Sequence, residues 1–344
     1  MRRFLVHIIL LFLGAVLLYL PTVWIAGLCG FQTNIKYVPG NYGHMGMRLQ
    51  EADATEMESG VMPSVIFLGS SHCYRTFDTR MYDTAGIKTL NLGSSIQTPK
   101  QSLALLKRYD KILGNASLVI IEVHPDIIGN SGVESTCDLL SNTRLDRPFL
   151  QMALSQHSLR VFNTMTCSLM DRWVTSITKR QKSEDSIIHV MTSGGDTSVM
   201  GDFAYVRGGF VELNNYCWRP HNLGEKKTTI RDDQLDALKE CVDLATRDGR
   251  RCLLVEVPST KALYNAYANH KEFEQAILTI TGPGCQYINL NDDLVLATQL
   301  DDSTCFFDED HLNRKGVRIV NGRLLEVLDT LENLEDLETL NLNN

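Results

Sequence analysis

From Phe4 to Leu28 the chain is apolar for 25 residues, interrupted only by His7 and by the pair Pro21-Thr22. At 1.5 Å rise per residue such a stretch crosses a hydrocarbon core of about 30 Å. It has no polar face, which excludes an ordinary amphipathic helix resting on a soluble core. Arg2 and Arg3 precede it, and the positive-inside rule puts them on the cytoplasmic side. Trp24 suits the far interface. The expectation is a transmembrane anchor over residues 1–30 with everything after residue 30 outside the cytoplasm. A cleaved signal peptide would have a shorter apolar region and small residues before the cut. Ala26-Gly27-Leu28-Cys29 loosely resembles a lipoprotein cleavage site, but the bulky Leu28 before the cysteine argues against it.

The remainder has globular proportions. Of the 344 residues, 44% are apolar and 22% charged, which rules out a disordered or collagen-like chain. Lys and Arg number 33 against 41 Asp and Glu, a net charge of −8. A phosphate-binding surface for nucleic acid is not expected from that balance. Nine cysteines are too few for a disulfide scaffold, and the odd number leaves at least one thiol unpaired within the chain.

Residues 31–60 show no sustained period and read as a linker or stalk. An α/β domain is expected over 61–330, followed by an acidic tail at 331–344. Within it, short apolar runs closed by turn residues read as strands: Ser64–Leu68 before Gly69, Ile87–Leu92 before Gly93, Leu118–Val123, Cys252–Val257 before Pro258, and Gln286–Leu290. Helical patterns lie between them. Thr98-Pro99-Lys100-Gln101 is a helix start with capping box and proline at the first position, and that helix is expected to end near Gly114. Residues 230–248, 260–280 and 314–331 carry further helical spacing. The alternation predicts an α/β fold with a parallel sheet flanked by helices on both faces. Residues 130–225 break the rhythm and read as a long insertion after the third strand, a helical cap or a substrate-facing subdomain.

In open α/β sheets, ligands bind beyond the carboxyl ends of the strands. Gly69-Ser70-Ser71-His72 follows the first strand, Gly93-Ser94-Ser95 the second, and His124-Pro125-Asp126 the third. Phe307-Asp308-Glu309-Asp310-His311-Leu312-Asn313 precedes the last helix. Acyl transfer needs a nucleophile, a base, an orienting carboxylate and oxyanion donors, and these segments hold one of each. Ser71 could alternatively cap the helix after its strand. Asp308 could be an ordinary carboxylate near a helix N-terminus. Asp310, next to His311, is expected to point elsewhere and lie on the surface. His72 and Cys73 read as packing or polar lining. Tyr216-Cys217-Trp218-Arg219-Pro220-His221 reads as packing of the insertion onto the core, with sugar stacking as the other reading. No ligand pair has metal-site spacing, so no metal is expected, and no cofactor.

These residues resemble the SGNH (GDSL-type) esterase and acyltransferase superfamily over 64–126 and 250–328. Gly69-Ser70-Ser71 matches its G-x-S block, and Asp308-Glu309-Asp310-His311 matches its D-x-x-H block. The resemblance implies Ser71 as nucleophile, His311 as base and Asp308 as its partner. It implies Gly93 as an oxyanion donor through its backbone N–H. The third block departs from the family pattern, because Asp126 stands where an asparagine donor is usual, and an ionised carboxylate only accepts. His124 could donate instead. The anchor and the altered block are similar to membrane-anchored members that transfer D-alanyl groups or O-acetylate polysaccharides. They imply an ester hydrolase or O-acyltransferase on a cell-envelope glycan in an extracytoplasmic, bacterial periplasmic setting, and a membrane-bound O-acyltransferase as partner. The rival expectation is a non-catalytic module of the same fold that binds a glycan or that partner. A lipase acting on membrane lipids is a third reading, without an apolar lid in the sequence to support it.

Overall fold

The computed structural model describes residues 1–344 except 32, 40–44, 58–60, 179–196, 201–202, 214–217, 220 and 334–344. Five strands form one parallel sheet: β1 (Val65–Leu68), β2 (Thr89–Asn91), β3 (Leu118–Glu122), β7 (Arg251–Glu256) and β8 (Cys285–Asn289), in the order β2-β1-β3-β7-β8. A separate antiparallel sheet holds β4 (Thr197–Met200), β5 (Phe203–Val206) and β6 (Val211–Leu213). The helices used below are α1 (Arg2–Leu28), α2 (Met45–Met57), α3 (Ser71–Thr76), α4 (Pro99–Arg108), α5 (Pro125–Ile128), α6 (Val133–Asn142), α7 (Arg147–Ser155), α8 (Leu159–Thr178), α9 (Asp232–Ala245) and α10 (Arg314–Asn333).

Strand side chains alternate between two cores, as the two-residue period requires. Ile66, Leu68, Val119, Ile121, Cys252 and Leu254 face one side with residues of α2, α4 and α9. Val65, Phe67, Leu118, Ile120, Leu253 and Val255 face the other with residues of α10. Both faces are therefore covered, which is why the strands are apolar throughout rather than alternating in sequence. The expected start of α4 is present: the Thr98 N–H donates to Gln101 Oε1 at 3.0 Å, with Pro99 at the first position. The helix stops at Arg108, short of the expected Gly114, and a new short helix runs Asp110–Asn115.

Two regions differ from expectation. The stretch read as a linker contains α2, whose Met45, Leu49 and Ala52 belong to the main core. Its polar residues mask a short apolar face of about two turns. Residues 130–225 are partly core as well, because Leu139, Phe149 and Met152 of α6 and α7 join the same cluster. The expected acidic tail lies outside the described residues beyond Asn333. So do Tyr216 and Cys217, whereas Trp218 is buried in the α10-side core. The eight described cysteines are free thiols.

Helix α1 is the one described helix long and apolar enough to cross a membrane. It continues through Pro21, where Thr22 Oγ1 donates to Leu18 O at 2.7 Å. Its last two turns pack on α8 through Val23 and Cys167.

The turn after β1 has little room. Gly69 has φ +147°, and a Cβ there would lie 2.6 Å from Glu122 Cβ. Gly69→Ala should lower unfolding free energy by about 1–3 kcal/mol through crowding of this buried turn. Denaturant titration checks this, and an unchanged midpoint would show that the turn relaxes freely.

Candidate active site

Strand order reverses at β1, with β2 on one side and β3 on the other. That reversal opens a crevice at the carboxyl ends of β1 and β3. From β1 the chain enters α3 through two serines with different tasks. Ser70 is the N-cap, and its Oγ accepts the His72 N–H at 3.2 Å. That removes the capping explanation for Ser71. Ser71 occupies the first helical position, where its N–H has no intrahelical acceptor.

The Ser71 hydroxyl lies 2.8 Å from His311 Nε2. His311 comes from the loop before α10, 240 residues further along. Its Nδ1 faces both Asp308 oxygens at 2.9 Å. Asp308 Oδ1 also accepts the His311 and Asp310 backbone N–H groups at 2.7 and 3.2 Å. This local turn fixes carboxylate and ring together. Asp308 does not cap α10, because Asn313 Oδ1 accepts the Lys315 and Gly316 N–H groups.

Asp310 departs from the surface position expected of it. Its Oδ1 lies 2.8 Å from His311 Nδ1, and its Oδ2 lies 3.2 Å from His72 Nε2. The second contact is an ion pair without hydrogen-bond alignment. His72 is held from the other side by Glu122, whose Oε1 is 3.3 Å from His72 Nδ1. Glu122 Oε2 accepts the Ser70 N–H at 2.7 Å. Burial opposes charge on His72, but the flanking carboxylates of Asp310 and Glu122 override it and raise its pKa to about 10. His72 is thus an imidazolium at neutral pH. Burial would raise the Asp310 pKa, yet His311 and His72 together hold it well below the ordinary carboxylate range.

His124 behaves oppositely. It caps α5, its Nδ1 accepting the Asp126 N–H at 3.3 Å. Burial first, and then the positive His72 ring 4.5 Å away, push its pKa well below the usual value. The ring is therefore neutral, and its proton sits on Nε2. That nitrogen has no hydrogen-bond partner among the described residues. Asp126 contributes its backbone N–H to this arrangement.

Gly93 is a correction. Its N–H donates to Asn91 Oδ1 at 3.0 Å, so it is not aimed at an incoming oxyanion as expected. The asparagine two residues earlier forms a local turn. Asn91 Oδ1 also accepts the Cys73 S–H at 3.3 Å. Burial, and then Glu122, drive the Cys73 pKa well above its ordinary value. Cys73 is an inert thiol and packing residue. His72, Asp310 and His311 bring ligand-type atoms within 4.8 Å of one another. A metal there would have to displace the proton that the two carboxylates hold on His72.

No family model matches the sequence, and no curated protein matches it. Among solved structures, a protein from Streptococcus pneumonia provisionally described as a platelet activating factor aligns with 82% of this chain and 91% of its own, at 10% identity and a TM-score of 0.39.

The raised His72 pKa has a thermodynamic sign. Its contribution to stability is complete below about pH 6.5, the unfolded value, and is lost as pH rises towards about 10. The unfolding free energy of the wild type relative to His72→Gln should therefore shrink across that window. Parallel profiles for the two proteins would contradict a charged His72.

Proposed function

We propose that this chain is a membrane-anchored, extracytoplasmic ester hydrolase or O-acyltransferase of SGNH type, acting on acyl esters of a cell-envelope glycan. The observation that carries the chemistry is the contact of Ser71 Oγ with His311 Nε2 at 2.8 Å, with Asp308 on the far nitrogen. Ser71 Oγ attacks the ester carbonyl while His311 Nε2 takes its proton. Asp308 holds the Nδ1 proton and stabilises the imidazolium. The tetrahedral oxyanion takes hydrogen bonds from the Ser71 N–H and from His124 Nε2. His311 then protonates the departing alcohol, and the acyl group stays on Ser71. Water or a sugar hydroxyl, deprotonated by His311, releases it. The glycan and its envelope setting are supported by α1 and by the sequence resemblance. A membrane-bound O-acyltransferase is the partner that resemblance suggests.

One observation favours the second reading, a non-catalytic glycan- or partner-binding module. The commitment of the Gly93 N–H to Asn91 leaves the oxyanion with one backbone donor fewer. A donor is worth about 10²–10³ in rate.

Labelling with a serine-directed fluorophosphonate separates the two. The wild type should be modified, and Ser71→Ala should not. Absence of Ser71-dependent labelling, where a known serine esterase reacts, would favour the binding module. If His124 is a donor, His124→Ala should lower kcat for a simple aryl ester about 10²–10³-fold with little change in KM. A change confined to KM would assign His124 to substrate binding.

A further inference from the structure

Helix α8 does more than support α1. Tyr19 of α1 bonds Asn163 of α8, and the Cys167 thiol donates to Trp24 O at 3.8 Å. Both numbers rise together, so the two helices run in the same direction. Gly27 permits the approach, because a Cβ there would collide with Cys167 Sγ. If the hydrocarbon span begins at Phe4, about 20 residues bring it to Val23. Asn163, level with Tyr19, then lies about 6 Å below that outer boundary. The start of α8 lies deeper still, by about 6 Å at Leu159.

The side chains at this end are apolar and open. Leu154, at the end of α7, is 58% exposed, and Leu159 and Phe162 of α8 are 61% and 47% exposed. Leu150, one turn earlier on α7, is 38% exposed. None of the four belongs to a hydrophobic core among the described residues, and all lie on the two helices joined by the turn at 156–158. Arg144 and Arg147, both exposed, stand just before this surface. The chain as a whole carries −8, so a locally basic margin suits anionic lipid headgroups.

We infer that the α7–α8 turn is a second membrane contact, in which Leu150, Leu154, Leu159 and Phe162 enter the outer leaflet of an anionic bilayer beside α1. The domain is then seated on the membrane at two points rather than hanging from a single flexible tether. This inference rests on α1 spanning the bilayer and is independent of the ester chemistry.

The test uses the full chain in vesicles of phosphatidylcholine with phosphatidylglycerol, with Cys29 and Cys217 replaced by serine. Leu154→Cys and Phe162→Cys carry a bimane label, quenched by doxyl-labelled lipid. Leu294→Cys, 69% exposed on the short helix packed against α10, is the reference site outside α1, α7 and α8, and Leu13→Cys reports α1. Quenching at 154 and 162 should exceed that at 294 at least roughly threefold, as expected for side chains at the acyl boundary. Quenching at 154 and 162 equal to that at 294, with strong quenching at 13, would overturn the second contact while leaving α1 in the bilayer. That result would mark the surface for a protein partner instead. Weak quenching at 13 as well would overturn the anchor and the inference together.

Discussion

A buried imidazolium ties the halves of this site together. His72, from the helix after β1, stands between Glu122 at the end of β3 and Asp310 in the loop before α10. Placing a positive charge in a buried position is costly unless it is paired on every side. Two carboxylates supply that pairing, and each has a second task. Glu122 accepts the Ser70 N–H and so holds the turn that presents Ser71. Asp310 contacts His311 Nδ1 and so helps set the ring that meets Ser71. The charge on His72 thereby couples two strand ends and a distant loop.

The same charge explains the opposite states of two neighbouring histidines. His72 stays protonated because carboxylates flank it. His124, 4.5 Å away, stays neutral because it is buried beside that cation. A neutral ring whose Nδ1 already accepts a backbone N–H must present its other nitrogen as a donor. The fold thus leaves His124 with an imidazole N–H free to donate. In the proposed reaction, this donor would compensate in part for the engaged Gly93 amide.

Much of the fold was legible because parallel strands buried on both faces are apolar runs closed by turn residues. The site was legible where chemistry depends on strand ends and on short spacing. Ser71 and His311 meet because one follows β1 and the other precedes α10, and Asp308 reaches His311 within one turn of chain. The failures have local causes. Asp310 was expected to point away from its neighbour's ring, a rule suited to regular elements. In the Asp308 turn, successive side chains converge instead. The spacing Asn91-Leu92-Gly93 carried a signal for a side-chain turn that would engage the glycine amide. The two serines could have been ordered by capping preference, since an N-cap at Ser70 leaves Ser71 at the first helical position. Helix α2 was obscured because few of its thirteen residues are large and apolar, and packing rather than propensity stabilises it.

The proposed chemistry requires Ser71 to be a nucleophile activated by His311. Incubation with an activated acetyl ester, acid quenching and peptide mass analysis tests it most directly. The expected product is an acetyl adduct on the peptide containing Ser71, at the Ser71 hydroxyl, that is lost in His311→Ala. Ester turnover without any adduct at Ser71, or an adduct there that persists unchanged without His311, would contradict it.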